Sequence, residues 1–127
     1  MKVLILLASS LLENRIDKLV FCSGKIYYEL LDKRVQEQAK KVALVRIEQL
    51  FPLDIERINK LVDQYNPKEI IWAQEEPENM GAWTFILSQL RSLDIDVISR
   101  ISSAATASGS SKRSAEKQKE IIDKVFK

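Results

Sequence analysis

Residues 70–83 read IIWAQEEPENMGAW, and this segment organises the prediction of the fold. Its three apolar residues predict the end of a buried strand, and the adjacent carboxylates Glu75 and Glu76 follow where that strand should stop. Gly81 permits a tight turn before an apolar run that begins a helix. A strand that ends in acids before a turn and a helix is typical of the ligand-facing edge of an open α/β sheet. A solvated acidic turn is the alternative interpretation.

Strand and helix patterns alternate on both sides of this segment. The predicted strands cover residues 18–23, 42–47, 69–74 and 97–101, and the predicted helices cover 25–39, 55–65, 82–93 and 114–126. In the first helix the spacing places Ile26, Leu30 and Val35 inward and Arg34 in water. Alternating strands and helices predict parallel pairing with right-handed crossovers. We therefore predict an α/β fold with three layers: a mostly parallel sheet of four to five strands, with helices on both faces.

The sequence contains one apparent core, which predicts a single domain over residues 17–127. Residues 1–16 are predicted to be a leader or a segment outside that domain, although 3–7 could form a strand. The apolar stretch at this end is too short to span a bilayer.

Composition excludes several kinds of site. The 127 residues include no histidine and one cysteine, so neither a zinc site nor a Cys–His pair can be assembled within this chain. Cys22 lies in an apolar run and is expected to be a buried structural thiol. The net charge of +2 gives no reason to expect nucleic acid or an anionic membrane as a partner. These properties predict a cytoplasmic protein with no metal site and no membrane contact.

The predicted sheet places several polar residues beyond the carboxyl ends of its strands, where α/β proteins bind ligands. These candidates for a ligand-facing or interface site are Ser23, Gly24, Lys25, Arg46, Glu48, Glu75, Glu76, Asn79, Gly81 and Arg100, with Ser102 and Ser103 beside them. The set contains no nucleophile paired with a base, so no catalytic residue is assigned. It could position a ligand electrostatically or meet another domain or subunit.

Arg46 carries a specific expectation. It interrupts the apolar strand 42–47 near its carboxyl end, where a guanidinium needs a carboxylate or an anionic ligand. If that strand neighbours 69–74, its arginine can reach the acid pair. We therefore predict that Arg46 bonds Glu48, Glu75 or Glu76 and holds the loop 77–80.

Three stretches resemble a known family: LVFCSGKIYYELL at 19–31, VALVRIEQLFPLD at 42–54 and IIWAQEEPENMGAW at 70–83. They are similar to the C-terminal domain of the thiamine-diphosphate-dependent E1 component of 2-oxoglutarate dehydrogenase, and more loosely to the transketolase C-terminal fold. Arg100, Ala104, Ala107 and Gly109 also fit a loop of that family. The resemblance covers 17–127. Two positions depart from the family pattern, namely Ile101 in place of proline and Ser114 in place of histidine.

The resemblance implies an intact homodimeric enzyme that decarboxylates 2-oxoglutarate and transfers a succinyl group to the lipoyl arm of an E2 succinyltransferase component. It also implies thiamine diphosphate and magnesium, held by the preceding thiamine-binding domains rather than by this chain. The domain would then be a structural, dimer-supporting unit without activity of its own. One alternative is a free-standing interaction module that binds an anionic metabolite or nucleotide through Lys25 and Arg46. A small flavodoxin-like enzyme is a further alternative.

Overall fold

The computed structural model describes residues 3–5, 16–48, 50, 53–100 and 111–127. Strands and helices alternate along the chain after an initial short strand. In chain order the elements are β1 (Val3–Ile5), β2 (Lys18–Cys22), α1 (Ile26–Gln36), β3 (Val42–Ile47), α2 (Ile55–Tyr65), β4 (Glu69–Pro77), α3 (Trp83–Gln89), β5 (Ile95–Arg100) and α4 (Ser111–Val125).

The strands form one sheet in the order β1-β3-β2-β4-β5. Strand β2 pairs in parallel with both β3 and β4, β5 extends the sheet in parallel from β4, and β1 pairs antiparallel with β3 at the edge. The apolar sequence of β2 suits its central position, since both of its faces are covered. The mostly parallel sheet confirms the predicted fold class.

Alternate residues of each strand point to opposite faces and build two separate cores. On one face Phe21, Val45 and Trp72 pack under α2 and α3, and on the other Val20, Leu44 and Ile71 pack under α1 and α4. Helices therefore cover both faces of the sheet, which makes the three layers that the sequence predicted.

The ends of α2 follow the predicted signals. Asp54 accepts a hydrogen bond from the backbone N–H of Arg57 at 3.1 Å and caps the first turn. At the other end Asn66 adopts a left-handed conformation with φ 45°, and Pro67 follows. The predicted bounds of this helix and of β3 are confirmed.

Helix α1 departs from the prediction in two ways. It ends at Gln36 rather than near residue 39, because Gln38 turns the chain at a φ of 52°. The predicted orientations of Val35 and Arg34 were wrong: Val35 is 61% exposed and Arg34 only 3%. Residues four apart share a helix face, so Arg34 continues the inward line of Ile26 and Leu30. Its Nε donates to the Val42 carbonyl at 2.7 Å, which gives the buried guanidinium an acceptor.

Strand β4 extends three residues beyond its predicted end. Ala73 lies opposite Ile98 and Pro77 opposite Arg100, so three residues of β4 face a single residue of β5 between those two pairs. This irregularity is a β-bulge. The adjacent acids Glu75 and Glu76 thus lie inside the strand, within the bulge, and not after it as predicted. Pro77 is the last residue of β4, as its missing N–H requires.

Several predictions concern residues outside the described ranges. They include Ser102, Ser103 and the family-like loop up to Gly109, as well as most of the segment 1–16. The domain boundary at residue 17 stays a prediction, whereas Val3–Ile5 does form a strand. Among the helices of the described residues, none is long and apolar enough to cross a membrane.

Candidate functional site

Side-chain alternation along β4 places its two adjacent carboxylates on opposite faces of the sheet. Glu75 points to the face covered by α1 and α4, where Lys25 and Gln118 meet it. Glu76 points to the other face and lines a cavity beside α3. The acid pair is therefore two separate sites rather than one.

Glu75 belongs to a polar cluster of four side chains, Lys25, Glu29, Glu75 and Gln118, here called the Glu75 cluster. The Lys25 ammonium forms an ion pair with Glu75 and lies 3.7 Å from a carboxylate oxygen of Glu29. The Gln118 amide donates to Glu75 at 2.9 Å and to Glu29 at 3.0 Å. The hydrogen bond that Lys25 donates to Glu75 raises the pKa of Lys25, and the charges of both acids act in the same direction, although desolvation opposes them. The cluster joins α1, the end of β4 and α4.

Removing the charge of Glu75 should loosen α4 with little effect on overall stability. We expect Glu75→Gln to lower the free energy of unfolding by about 0.5–1 kcal/mol, because Lys25 is exposed and solvent screens the pair. Amide hydrogen exchange should become faster in α4. Glu56→Gln is the control, since it removes an exposed carboxylate paired with Lys60 four residues away on α2. Unchanged exchange throughout α4 would show that the cluster does not hold this helix.

Gln74 organises the opposite side of β4. Its side chain is 4% exposed, and its Oε1 accepts from the Trp72 indole N–H at 2.9 Å and from the Trp83 backbone N–H at 3.0 Å. Its Nε2 donates to the carbonyls of Pro77 and Met80 at 2.8 Å each. One amide thereby fixes the turn from β4 into α3. We did not predict this role from the sequence.

Two glycines adopt left-handed conformations, as predicted for tight turns. Gly24 has φ 83° and Gly81 has φ 69°. A Cβ at Gly24 would meet no atom within 4 Å, but one at Gly81 would lie 3.1 Å from Cδ of Glu76 and 3.3 Å from Oε1 of Gln74. Backbone conformation therefore favours glycine at both positions, and close neighbouring atoms favour it at Gly81 as well.

The prediction for Arg46 was wrong. Strand β2 lies between β3 and β4, so Arg46 is not on a strand next to the acid pair. Its Nη1 donates to the Tyr28 hydroxyl at 3.0 Å, and its guanidinium carbon lies 5.4 Å from the centre of the Tyr28 ring. Within the described ranges, no carboxylate, Glu48 included, forms an ion pair with Arg46. A cation–π contact with α1 takes the place of the expected salt bridge.

The remaining candidates are spread along the edge. Ser23 lines the same cavity as Glu76 and Gly81, while Arg100 lines a groove between β5 and α4. The Arg100 carbonyl accepts from the Glu78 N–H at 3.1 Å, and Asn79 is exposed in the turn that follows. The structure thus joins Lys25 with Glu75, and Ser23 with Glu76 and Gly81. It leaves Arg46 and Arg100 apart from both groups.

The cavity beside α3, here called the edge cavity, has a volume of ≈ 410 Å³. One wall consists of alternate residues of β4, and the opposite wall is the start of α3. Its described lining residues are Ser23, Leu50, Trp72, Gln74, Glu76, Gly81, Ala82 and Phe85. Most of this lining is apolar, and Glu76 is its only charged member in the described part of the chain.

Cys22 is a structural thiol, as predicted. The side chain is fully buried, and burial raises the pKa of the Cys22 thiol to about 12, although the charge of Arg46 acts in the opposite direction. A neutral, enclosed thiol is a poor nucleophile.

Cys22 should react with a thiol reagent only when the fold opens. At pH 8 we expect labelling by 5,5′-dithiobis(2-nitrobenzoate) to be at least about 10³-fold slower in the native protein than in denaturant, since opening must precede the reaction. Free cysteine measured in both buffers controls for the reagent. Rapid labelling of the native protein would contradict the buried position of this thiol.

The described residues offer binding and positioning chemistry rather than a reaction centre. Among them there is no group of three or more acidic, cysteine or histidine side chains that could hold a metal ion. The sequence has no histidine base, and its cysteine is buried. The edge provides an internal ion-pair cluster and an apolar cavity with one carboxylate.

The fold is shared with a solved transketolase. A structure described as a split gene transketolase, inactive beta4 tetramer, superposes with a TM-score of 0.67 at 14% sequence identity. The match covers 98% of this chain and 41% of that protein, so nearly all of this chain corresponds to a part of the larger one. At this identity the likeness concerns the fold.

Sequence relatives define the family. The model of the 2-oxoglutarate dehydrogenase C-terminal family matches residues 7–126. The 2-oxoglutarate dehydrogenase E1 component of Azotobacter vinelandii is 39% identical over 92% of this chain, and the multifunctional 2-oxoglutarate metabolism enzyme of Mycobacterium sp. (strain KMS) is 45% identical over 89%. The chain spans 13% and 10% of the lengths of these two relatives. These matches confirm the resemblance: the chain belongs to the 2-oxoglutarate dehydrogenase C-terminal family.

Proposed function

We propose that this chain serves as the C-terminal structural and dimer-supporting domain of a 2-oxoglutarate dehydrogenase E1 component. The intact cytoplasmic enzyme would decarboxylate 2-oxoglutarate oxidatively and transfer the succinyl group to a lipoyl-bearing E2 component. The observation that carries this proposal is the 39% identity to an E1 component over 92% of the chain. The chain alone would have no activity.

The geometry supports a structural role for this domain. Lys25, which lies shortly after the end of β2, is already paired with the carboxylates of Glu29 and Glu75. Gln74 uses both ends of its amide to fix the turn into α3. These contacts stabilise the edge of the sheet within the described part of the chain.

The family resemblance implies thiamine diphosphate and magnesium, and the described residues do not fit that group. Magnesium and a diphosphate require several oxygen ligands and free cationic or backbone donors. The described residues hold no cluster of three potential metal ligands, and Lys25 faces two carboxylates that would repel a diphosphate. The proposal therefore assigns the cofactor to the preceding domains and no step of the chemistry to this chain.

The alternative, an anion-binding module, needs Lys25 and Arg46 to act together. Lys25 is engaged in the Glu75 cluster, whereas Arg46 contacts Tyr28 over α1. In the described part of the chain, Lys25 and Arg46 have no interaction partner in common. Calorimetric titration with ATP should therefore give no binding heat at millimolar nucleotide, and a saturable heat would favour the alternative.

A chimaera tests the proposed function. The region of the Azotobacter vinelandii E1 component that matches this chain would be deleted in one version and replaced by the 127 residues in another. We expect the deletion to abolish 2-oxoglutarate-dependent CO₂ release and the dimer, and the replacement to restore both. A second test titrates thiamine diphosphate into the 127-residue chain, where we expect no heat. A fully active deletion, a folded but inactive chimaera, or tight cofactor binding by this chain would each contradict the proposal.

A further inference from the structure

In its described lining, the edge cavity combines apolar walls with the carboxylate of Glu76. Trp72, Leu50, Ala82 and Phe85 contribute the apolar surface, and Ser23 adds a hydroxyl at the end of β2. Gln74 also lines the cavity, but its amide is occupied by the contacts that fix the turn. Among the described lining residues, the side-chain polar groups left to meet an occupant are the Glu76 carboxylate and the Ser23 hydroxyl.

The Glu76 side chain lies against the turn between β4 and α3. Its Cβ and Cδ lie 3.2 and 3.1 Å from the position that a Cβ would take at Gly81. In the described part of the chain, the Glu76 carboxylate makes neither a hydrogen bond nor an ion pair. Glu75, its neighbour in sequence, has Lys25 and Gln118 as partners. Among the described residues, the carboxylate at the cavity therefore has no partner, whereas the carboxylate of the cluster has two.

We propose that the edge cavity receives an arginine side chain from another domain of the same enzyme, with Glu76 as its counter-ion. The chemistry of the cavity favours this occupant. A guanidinium is planar and weakly hydrated, it stacks on apolar and aromatic surfaces, and it bonds a carboxylate with two parallel N–H groups. An anionic occupant would be repelled by Glu76, and a purely apolar one would remove water from this carboxylate without giving it a partner.

The position of the cavity also fits a contact between domains. It opens at the carboxyl edge of the sheet, on the turn that Gln74 and Gly81 hold in one conformation. A preformed pocket loses little conformational entropy when a side chain enters it. Arginine in such a pocket is typical of residues that dominate the affinity of an interface. The identity of the donor as a domain of the same enzyme rests on the function proposed above, whereas the preference for arginine rests on the cavity alone.

Small probes can test the preference with the 127-residue chain. N-acetyl-arginine amide would be titrated into the ¹⁵N-labelled protein, and N-acetyl-citrulline amide would serve as the neutral isostere. We expect saturable shifts of the Gly81 and Ala82 amides and of the Trp72 indole. The arginine probe should bind about tenfold more tightly than citrulline, because only its N–H donors carry a positive charge, which strengthens their hydrogen bonds to the Glu76 carboxylate.

Glu76→Gln is the diagnostic variant, and Glu78→Gln is its matched control. Both remove one exposed carboxylate close to the turn between β4 and α3, but of the two only Glu76 lines the cavity. We expect the discrimination between arginine and citrulline to vanish in Glu76→Gln and to persist in Glu78→Gln. Equal affinities for both probes in the wild type, shifts located elsewhere, or an unchanged preference in Glu76→Gln would overturn the proposal.

The chimaera separates this inference from the proposed function. In the chimaera, Glu76→Gln should weaken the dimer or lower its melting temperature more than Glu78→Gln does. If the chimaera is active and neither variant changes its dimer or its melting temperature, the proposed arginine contact is wrong and the proposed function still holds. An inactive chimaera together with selective arginine binding would contradict the proposed function and support the arginine contact.

Discussion

Replacing Gln74 with leucine is expected to be among the most destabilising single changes in this chain. Leucine has a similar volume but no polar atoms, so the Trp72 indole and the Trp83 N–H lose their acceptor. The carbonyls of Pro77 and Met80 lose their donor at the same time. Each buried polar group left unpaired costs about 1–3 kcal/mol, and some of these will reach water after local rearrangement. We therefore expect the free energy of unfolding to fall by about 3–4 kcal/mol, as measured by urea denaturation.

Gln64→Leu provides the control, since Gln64 is exposed on α2 and the change should alter stability by less than about 0.5 kcal/mol. Hydrogen exchange in Gln74→Leu should become faster first in the turn between β4 and α3. A loss below about 1 kcal/mol would show that the carbonyls and N–H groups find other partners and that Gln74 does not hold the turn.

Gly81→Val is the second change with a large expected effect. Valine is β-branched and would have to adopt a φ of 69°, where such residues are outliers. Its Cβ would also press against Glu76 and Gln74 at 3.1–3.3 Å. Strain at such a position costs about 1–3 kcal/mol, and the contacts should place Gly81→Val at the upper end, near 3 kcal/mol.

Gly24 separates the two causes. It shares the left-handed conformation with Gly81, but a Cβ there would meet nothing within 4 Å. Gly24→Ala should therefore lower the free energy of unfolding by about 1 kcal/mol, which reflects the backbone conformation alone. Alanine at Gly81 should cost measurably more, because of the neighbouring side chains. Equal losses at the two glycines would mean that Glu76 moves aside freely.

Periodicity correctly predicted the elements whose bounds are determined by local sequence alone. Strand β3 is a continuous apolar run, and α2 has an acidic cap, one apolar face and a left-handed residue at its end; both bounds were correct. Arg34 shows where the pattern was misapplied, because the four-residue spacing from Leu30 was present in the sequence. We assumed that an arginine faces water, although its long apolar stem can lie in a core when the guanidinium finds an acceptor.

The site was harder to predict because it depends on which strands are neighbours. Lys25 and Glu75 were both candidates, but their pairing follows from β2 lying beside β4, which local sequence does not encode. The same strand order separates Arg46 from the acids. Gln118 lies in a helix rich in lysine and glutamate, where nothing distinguishes it from the surface residues. Gln74 carried one weak signal: it shares the inward alternation of Ile70 and Trp72, at which a polar residue requires buried partners.

Side-chain alternation in β4 makes this edge of the sheet sensitive to changes in chain length. Glu75 belongs to an internal cluster, and its neighbour Glu76 lines a cavity on the opposite face. Their roles therefore depend on the alternation of side chains along the strand. Deleting a single residue at Ala73 would turn every following side chain of β4 to the wrong face, although no charge would be lost. An in-frame deletion there should therefore be more damaging than most substitutions of the same residues, and evolution of this segment should proceed by replacement at constant length.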